Sequence, residues 1–321
     1  MDGDRTMGMG GHRIVAIGVG GAGCRVVHSV HTSLKGVETI AINSDSVKEI
    51  EADKKIQIGT QILHGLGADA SCEIGKKCAE ESKELIASML GKADLVIIIA
   101  GLGGGIGTGA SPIIAEIAKN AGALVICMVI MPMSVENRSD RATQGLEILK
   151  SLADSVVTVS LDSILNSLPD IEFFDALNKV NELVIHLITK ICESVTIPTL
   201  VNPDEEVPIG KEITPIIFYN SGKNDAHATS FSSPIYDVDY INESGAILRF
   251  SPEPNISTKN VSFLANAMFS ELGDSTNLFL GGNMRALPKG KFLSGLFFGM
   301  LPPLQLPHIE DITQENFKKE N

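Results

Sequence analysis

Residues 101–109, GLGGGIGTG, place six glycines in nine positions directly after the run DLVIIIA (94–100). No other stretch restricts the fold as much. Leu95 to Ala100 are continuously apolar, as expected for a strand buried on both faces of a parallel sheet. Glycine adopts positive φ and tolerates an approach that a Cβ would block. Successive N–H groups in such a turn form a concave anion site, and a following helix adds its positive end. SPIIAEIAKNAG (111–122) predicts that helix, with Ser111 near its start and Pro112 in its first turn. The segment therefore reads as a phosphate cradle in which Thr108 adds a hydroxyl donor. The plainer alternative is a turn that only packs two elements closely.

A second glycine stretch, GVGGAG (18–23), follows the apolar run RIVAI (13–17) and fits G-x-G-x-x-G. Alone this is a weak signal for a dinucleotide fold. Such a site wants an acid at the end of the next strand. VETIAINSD (37–45) ends in Asp45, which meets that need, but the richer loop at 101–109 is then left unexplained. A P-loop is excluded, since neither glycine stretch contains a lysine.

Strand-like runs at 54–59, 94–100, ALVICMVIM (123–131) and SVVTVSLD (155–162) alternate with helical stretches at 25 onward, 72–90, 111–122 and 144–154. This predicts an α/β domain with a doubly wound, mostly parallel sheet. Leu177, Val180, Val184, Leu187, Ile191 and Val195 recur at helical intervals, so 175–198 reads as one long helix of about 30 Å that Pro198 ends. Beyond it, TPIIFYNSG, GAILRFSP, NLFLGGN and GKFLSGLFFG suggest strands and 258–272 a helix, the pattern of a smaller α+β domain. The expected organisation is a flexible arm (1–12), a nucleotide domain (13–174), the long helix, a second domain (199–302) and a short tail (303–321).

The net charge of −13 argues against a nucleic-acid partner. Backbone amides can still hold a nucleotide's phosphates. Five scattered cysteines suit free thiols in a reducing cytoplasm. No apolar run reaches membrane-spanning length, and FLSGLFFGMLPPLQL (292–306) reads as a final strand with a proline-rich exit.

GVGGAG, AINSDS, HGLGADASCEIG, AGLGGGIGTGASP and DALNKVNELV occur in the order and spacing of the tubulin/FtsZ superfamily. The chain resembles FtsZ more than eukaryotic tubulin, densely over 13–201 and more faintly to about 300. The resemblance implies a GTP-binding protein that polymerises head to tail. It implies a first phosphate loop at Gly20, Gly21, Ala22, Gly23, Cys24 and Arg25, and the signature loop at Gly103, Gly104, Gly105, Gly107, Thr108 and Gly109. Asn43 and Asp45, and Gly67, Ala68 and Ala70, match two further nucleotide loops. Glu136 and Arg138 fall where the family contacts sugar and phosphate, and Asn181 where it reads guanine. An Asn amide both donates to and accepts from a base edge. The cofactor implied is GTP or GDP, with Mg2+ held mainly through the phosphates.

In FtsZ the loop after the long helix, Asn-x-Asp-x-x-Asp, completes the active site of the next subunit, where its acids orient water. Here it reads NPDEEV: Asn202 and Asp204 match, Val207 takes the last acid position, and Glu206 lies one residue early. Either Glu206, longer by a methylene, substitutes for that acid, or the second acid is lost and turnover is slow. An acidic surface loop is the plain alternative. Pro203, Pro208, Gly210 and Pro215 shorten the helix that the family places next. After the last strand only a short polar tail is read, in place of the family's long linker and adaptor-binding peptide. Three functions follow: a GTPase with dynamic filaments in cell division or membrane shaping, a nucleotide-binding structural or regulatory FtsZ paralogue with little hydrolysis, and, remotely, a Rossmann oxidoreductase. The implied partners are further copies of the chain, another FtsZ, or a membrane adaptor.

Overall fold

The computed structural model describes residues 12–63, 71–166, 172–196, 212–220, 245–250, 277–282 and 291–299. The chain divides into two compact units, Met1–Thr196 and Ile197–Asn321.

In the first unit six strands, β1 (Ile14–Val19), β2 (Val37–Asn43), β3 (Lys54–Gln57), β4 (Leu95–Gly101), β5 (Leu124–Met131) and β6 (Ser155–Ser160), form a sheet in the order β3-β2-β1-β4-β5-β6. All neighbours are parallel. Every residue of β1, and Leu95 to Ala100 of β4, is buried, which explains their unbroken apolar character. The order reverses between β1 and β4, and ligands of such sheets bind at the carboxyl ends of the strands beside that reversal.

The helices are α1 (Gly20–Ser33), α2 (Thr60–Leu63), α3 (Cys72–Glu81), α4 (Lys83–Leu90), α5 (Gly105–Asn120), α6 (Ser139–Leu152), α7 (Leu161–Asn166) and α8 (Phe173–Thr196). The sequence predicts one helix over 72–90, but the structure breaks it at Ser82. There the amide donates to the Ala79 carbonyl three residues back, a tighter closure that ends α3. Ser71 caps α3, its hydroxyl accepting the Ile74 amide at 3.4 Å. α5 ends in a Schellman turn, with Gly122 N–H donating to Lys119 and Ala123 N–H to Ala118. On α8, Val180, Val184, Leu187, Ile188, Ile191 and Cys192 are buried, in line with the helical repeat of apolar residues.

In the second unit the strands β7 (Glu212–Asn220), β8 (Gly245–Phe250), β9 (Asn277–Gly282) and β10 (Lys291–Gly299) lie in the order β7-β10-β8-β9. β10 is antiparallel to β7 and β8, and β8 is parallel to β9. The mixed sheet matches the strand runs expected there; the helix expected at 258–272 lies outside the described residues.

Candidate functional site

Both glycine stretches meet at the β1/β4 reversal, and each is the start of a helix rather than a loop before one. α1 begins at Gly20, directly after β1, and α5 at Gly105. Periodicity placed these starts at Arg25 and Ser111. Glycine is a poor helix former, so a pattern based on propensity begins too late. Close packing explains its use. A Cβ on Gly23 would lie 2.1 Å from the Ile99 carbonyl oxygen, one on Gly107 2.1 Å from that of Gly101, and one on Gly109 2.0 Å from that of Cys72. Gly75 of α3 is subject to the same limit against the Gly105 oxygen, at 2.1 Å. Much of the glycine content therefore serves helix–strand and helix–helix packing. Within the two glycine stretches, Gly21 and Gly104 would each carry a Cβ with no described atom within 4 Å, so these two face open space among the described residues.

The two helix starts touch. A Cβ on Gly20, whose φ is +72°, would lie 3.0 Å from the Gly107 amide nitrogen. Neither α1 nor α5 has a side-chain cap, and neither carries an acid in its first turn. The first amides of each helix lack intrahelical acceptors: Gly20, Gly21 and Ala22 in α1, and Gly105, Ile106 and Gly107 in α5, where Thr108 N–H is the first to reach back, to Gly104. Two positive helix ends with free donors thus converge, an arrangement suited to an anion with several oxygens.

Thr108 is buried, and its hydroxyl oxygen accepts the Gly103 amide at 2.7 Å. Gly103 has φ +90°, a conformation that glycine adopts readily. Pro112, predicted in the first turn of its helix, lies inside α5 because that helix starts earlier. It leaves the Thr108 carbonyl without its helical donor. Ser111 turns its hydroxyl back onto the Gly107 carbonyl.

The remaining candidates lie in differing settings. Ala22 packs under the signature loop, 2.7 Å from where a Gly101 Cβ would be. The Cys24 thiol is buried, directed at the Gly18 and Ile42 carbonyls, and burial pushes its pKa up to about 12. The Cys24 side chain therefore belongs to the core, and only its backbone is available to a ligand. Arg25, one residue on, is exposed. Asn43 ends β2 with its side-chain oxygen accepting the Ser44 amide, while Asp45 beyond it is exposed.

On the far side, the Glu136 and Arg138 side chains form an ion pair, and Glu136 also accepts the Met133 amide at 3.0 Å. Arg138 abuts the signature loop, its Cβ 3.0 Å from where a Gly103 Cβ would be. Sequence reasoning missed Asp162, whose carboxylate accepts the Ser134 amide at 2.8 Å and props this turn. Asn181 lies half-buried on α8, which packs against α1. Gly67, Ala68, Ala70, Asn202, Asp204 and Glu206 lie outside the described residues. Among the described residues, no cluster of His, Cys, Asp and Glu is arranged to hold a metal ion, and no helix is long and apolar enough to cross a membrane.

Residues 13–169 match the GTPase domain of the tubulin/FtsZ family. The chain is 33% identical over 294 residues to cell division protein FtsZ 2 of Halobacterium salinarum, spanning 88% of this chain and 75% of that protein. It is 32% identical to cell division protein FtsZ 2 of Methanocaldococcus jannaschii, over 85% of this chain and 76% of that one. An FtsZ dimer of M. jannaschii superposes with a TM-score of 0.80 at 26% identity, covering 92% of this chain and 93% of that one. CetZ2 from Haloferax volcanii, a GTPγS-bound protofilament, shares the fold with a TM-score of 0.75 at 19% identity, over 95% and 98% of the two chains.

Proposed function

The chain belongs to the tubulin/FtsZ family as a divergent FtsZ-like protein, and from that membership we propose that it binds GTP and GDP at the paired helix starts and associates head to tail into filaments. The observation that carries the proposal is the convergence of two uncapped, acid-free helix starts, α1 and α5, at the reversal of the sheet. The nucleotide's phosphates rest on the free amides around Gly20–Ala22 and Gly104–Gly107. Gly21 and Gly104 are the points of nearest approach, because among the described residues no atom lies within 4 Å of where their Cβ would be. Arg25 adds positive charge beside the first loop. Glu136 and Arg138 face the sugar and phosphates from the other side, and Asn181 reads guanine by donating and accepting on the base edge.

Mg2+ fits this site as a phosphate-bound ion: the amides supply donors but no metal ligands, and the ion offsets the phosphate charge. The strand order is also that of dinucleotide folds. Family membership favours the guanine nucleotide over NAD. Hydrolysis is the finer part of the proposal. Asp204 of one subunit, with Glu206 in support and Asn202 beside them, orients water at the nucleotide of the next, so turnover is slow and depends on assembly. The filament acts in cell division or cell shape, in the cytoplasm, and an adaptor joins it to the membrane.

Calorimetry with GTP, GDP and NAD tests the first step. Guanine-nucleotide binding is expected, and binding of NAD alone would overturn it. Light scattering and electron microscopy with GTP and Mg2+ test assembly, and a strictly monomeric protein at high concentration would refute it. GTP turnover is expected to rise with protein concentration and to fall in Asp204→Ala without loss of binding. Equal turnover in Asp204→Ala, Glu206→Ala and the parent would remove these acids from the mechanism.

A further inference from the structure

We infer that Gly145, on α6 and away from the nucleotide, is a positioning residue for the phosphate loop, acting through Thr108. The inference rests on the nucleotide site proposed above. Gly145 is buried within α6, which packs on α5. A Cβ there would lie 2.5 Å from the Thr108 Cγ2 and 3.7 Å from its Cβ. The Thr108 methyl therefore occupies the space that the missing Gly145 side chain leaves.

Threonine is branched at Cβ, so its methyl and hydroxyl move together about χ1. Seating the methyl against Gly145 fixes the hydroxyl oxygen 2.7 Å from the buried Gly103 amide. The neighbouring Leu102 amide is tied to the Ile130 carbonyl of β5 at 2.9 Å. The turn is thus pinned at two consecutive amides, and the unpinned donors begin at Gly104. Thr108 sets that boundary, and Gly145 sets Thr108. A side chain at 145 would turn Thr108 or push α6 away from α5. In the first case the Gly103 amide loses its acceptor, and the positive-φ turn that presents the free amides loosens. An isolated glycine inside a helical pattern usually has a packing reason; here that reason leads to the ligand.

Gly145→Ala is the test. Alanine is the better helix former, so α6 itself is not weakened by the exchange. GTP and GDP affinity is expected to fall about tenfold, the scale set by one buried donor left unpaired. Hydrogen exchange at the Gly103 amide should accelerate. Thr108→Ser removes only the obstructing methyl and keeps the oxygen. The double variant G145A/T108S is therefore expected to regain both affinity and Gly103 protection, close to Thr108→Ser alone. If Gly145→Ala does not fold, Thr108→Val decides. It fills the space against Gly145 but offers Gly103 no acceptor, and it should lose affinity to a similar degree with faster exchange at Gly103. Parent-like affinity in a folded Gly145→Ala, a deficit that Thr108→Ser does not relieve, or parent-like affinity in Thr108→Val would each overturn the inference while leaving the nucleotide site intact. A parent protein that binds neither GTP nor GDP would overturn the site and this inference together.

Discussion

The starts of α1 and α5 solve one problem with different means. Each has a glycine at positive φ (Gly20, Gly103), a glycine open to solvent (Gly21, Gly104) and glycines pressed against a carbonyl (Gly23; Gly107 and Gly109). α5 is enclosed: Gly105 to Pro112 are all buried, and the Thr108 hydroxyl ties its turn. α1 has no such tie; Gly21 and Arg25 are exposed, and the first buried side chain along the helix is that of Cys24. The α5 end is a cradle whose shape its neighbours impose. The α1 end is simpler, resting on α5 through Gly20 and carrying the exposed positive charge of Arg25. Glycines of one loop thus do unlike work, and substitutions separate the packing positions from the proposed ligand positions.

The largest effect is expected at a packing glycine. Gly109→Ala places a Cβ 2.0 Å from the Cys72 carbonyl. α3 and α5 must part, at a cost on the order of 3 kcal/mol and a melting temperature lower by roughly 10 °C. A thermal melt checks this, and an unchanged melting temperature would deny that close packing selects this glycine. Gly104→Ala, with no atom within 4 Å of the new Cβ, is expected to melt within a few degrees of the parent yet lose about tenfold in GTP affinity, as one or more amide–phosphate bonds are blocked. Equal affinity there would move the phosphates off Gly104.

The cysteines sharpen the comparison at the α1 end. Burial holds the Cys24 and Cys127 thiols up to about 12, Cys127 also through the nearby charge of Asp154. An unfolded thiol ionises near 9, whereas these keep their protons. Their contribution to stability is therefore complete below about pH 9 and is lost as pH rises toward 12. Mass spectrometry after alkylation at pH 8 should find Cys72 modified and Cys24 and Cys127 protected. Rapid labelling of Cys24 would mean that the first turn of α1 opens. The smallest effect belongs to Arg25→Ala, about threefold weaker GTP binding and a shallower loss of affinity with added salt. A parent-like salt response would remove Arg25 from the phosphate side.

Much of this was legible because burial on both faces leaves a plain mark. Leu95 to Ala100 read as a buried strand since no polar residue is tolerated on either face. Alternation of strands and helices gave the parallel sheet, and the paired glycine stretches pointed to the two helix starts where the anion site is proposed. The helix starts were misplaced by the same glycines: propensity marks glycine as loop, while its use inside α1 and α5 comes from carbonyl oxygens of elements distant in sequence, such as Cys72 against Gly109. The break at Ser82 and the support of Ser134 by Asp162 left no local signal either.

The sequence by itself determined the alternation of elements, the carboxyl-edge position of the glycines and the kinship with FtsZ. These depend on periodicity and residue type, which act within a few residues along the chain. Only the tertiary structure decided which glycines face a neighbour and which face open space, and that the Thr108 hydroxyl holds Gly103 while α6 presses on its methyl. Those assignments depend on distances between elements that local sequence does not encode, and a Cβ is excluded or admitted only by the atoms that folding brings against it.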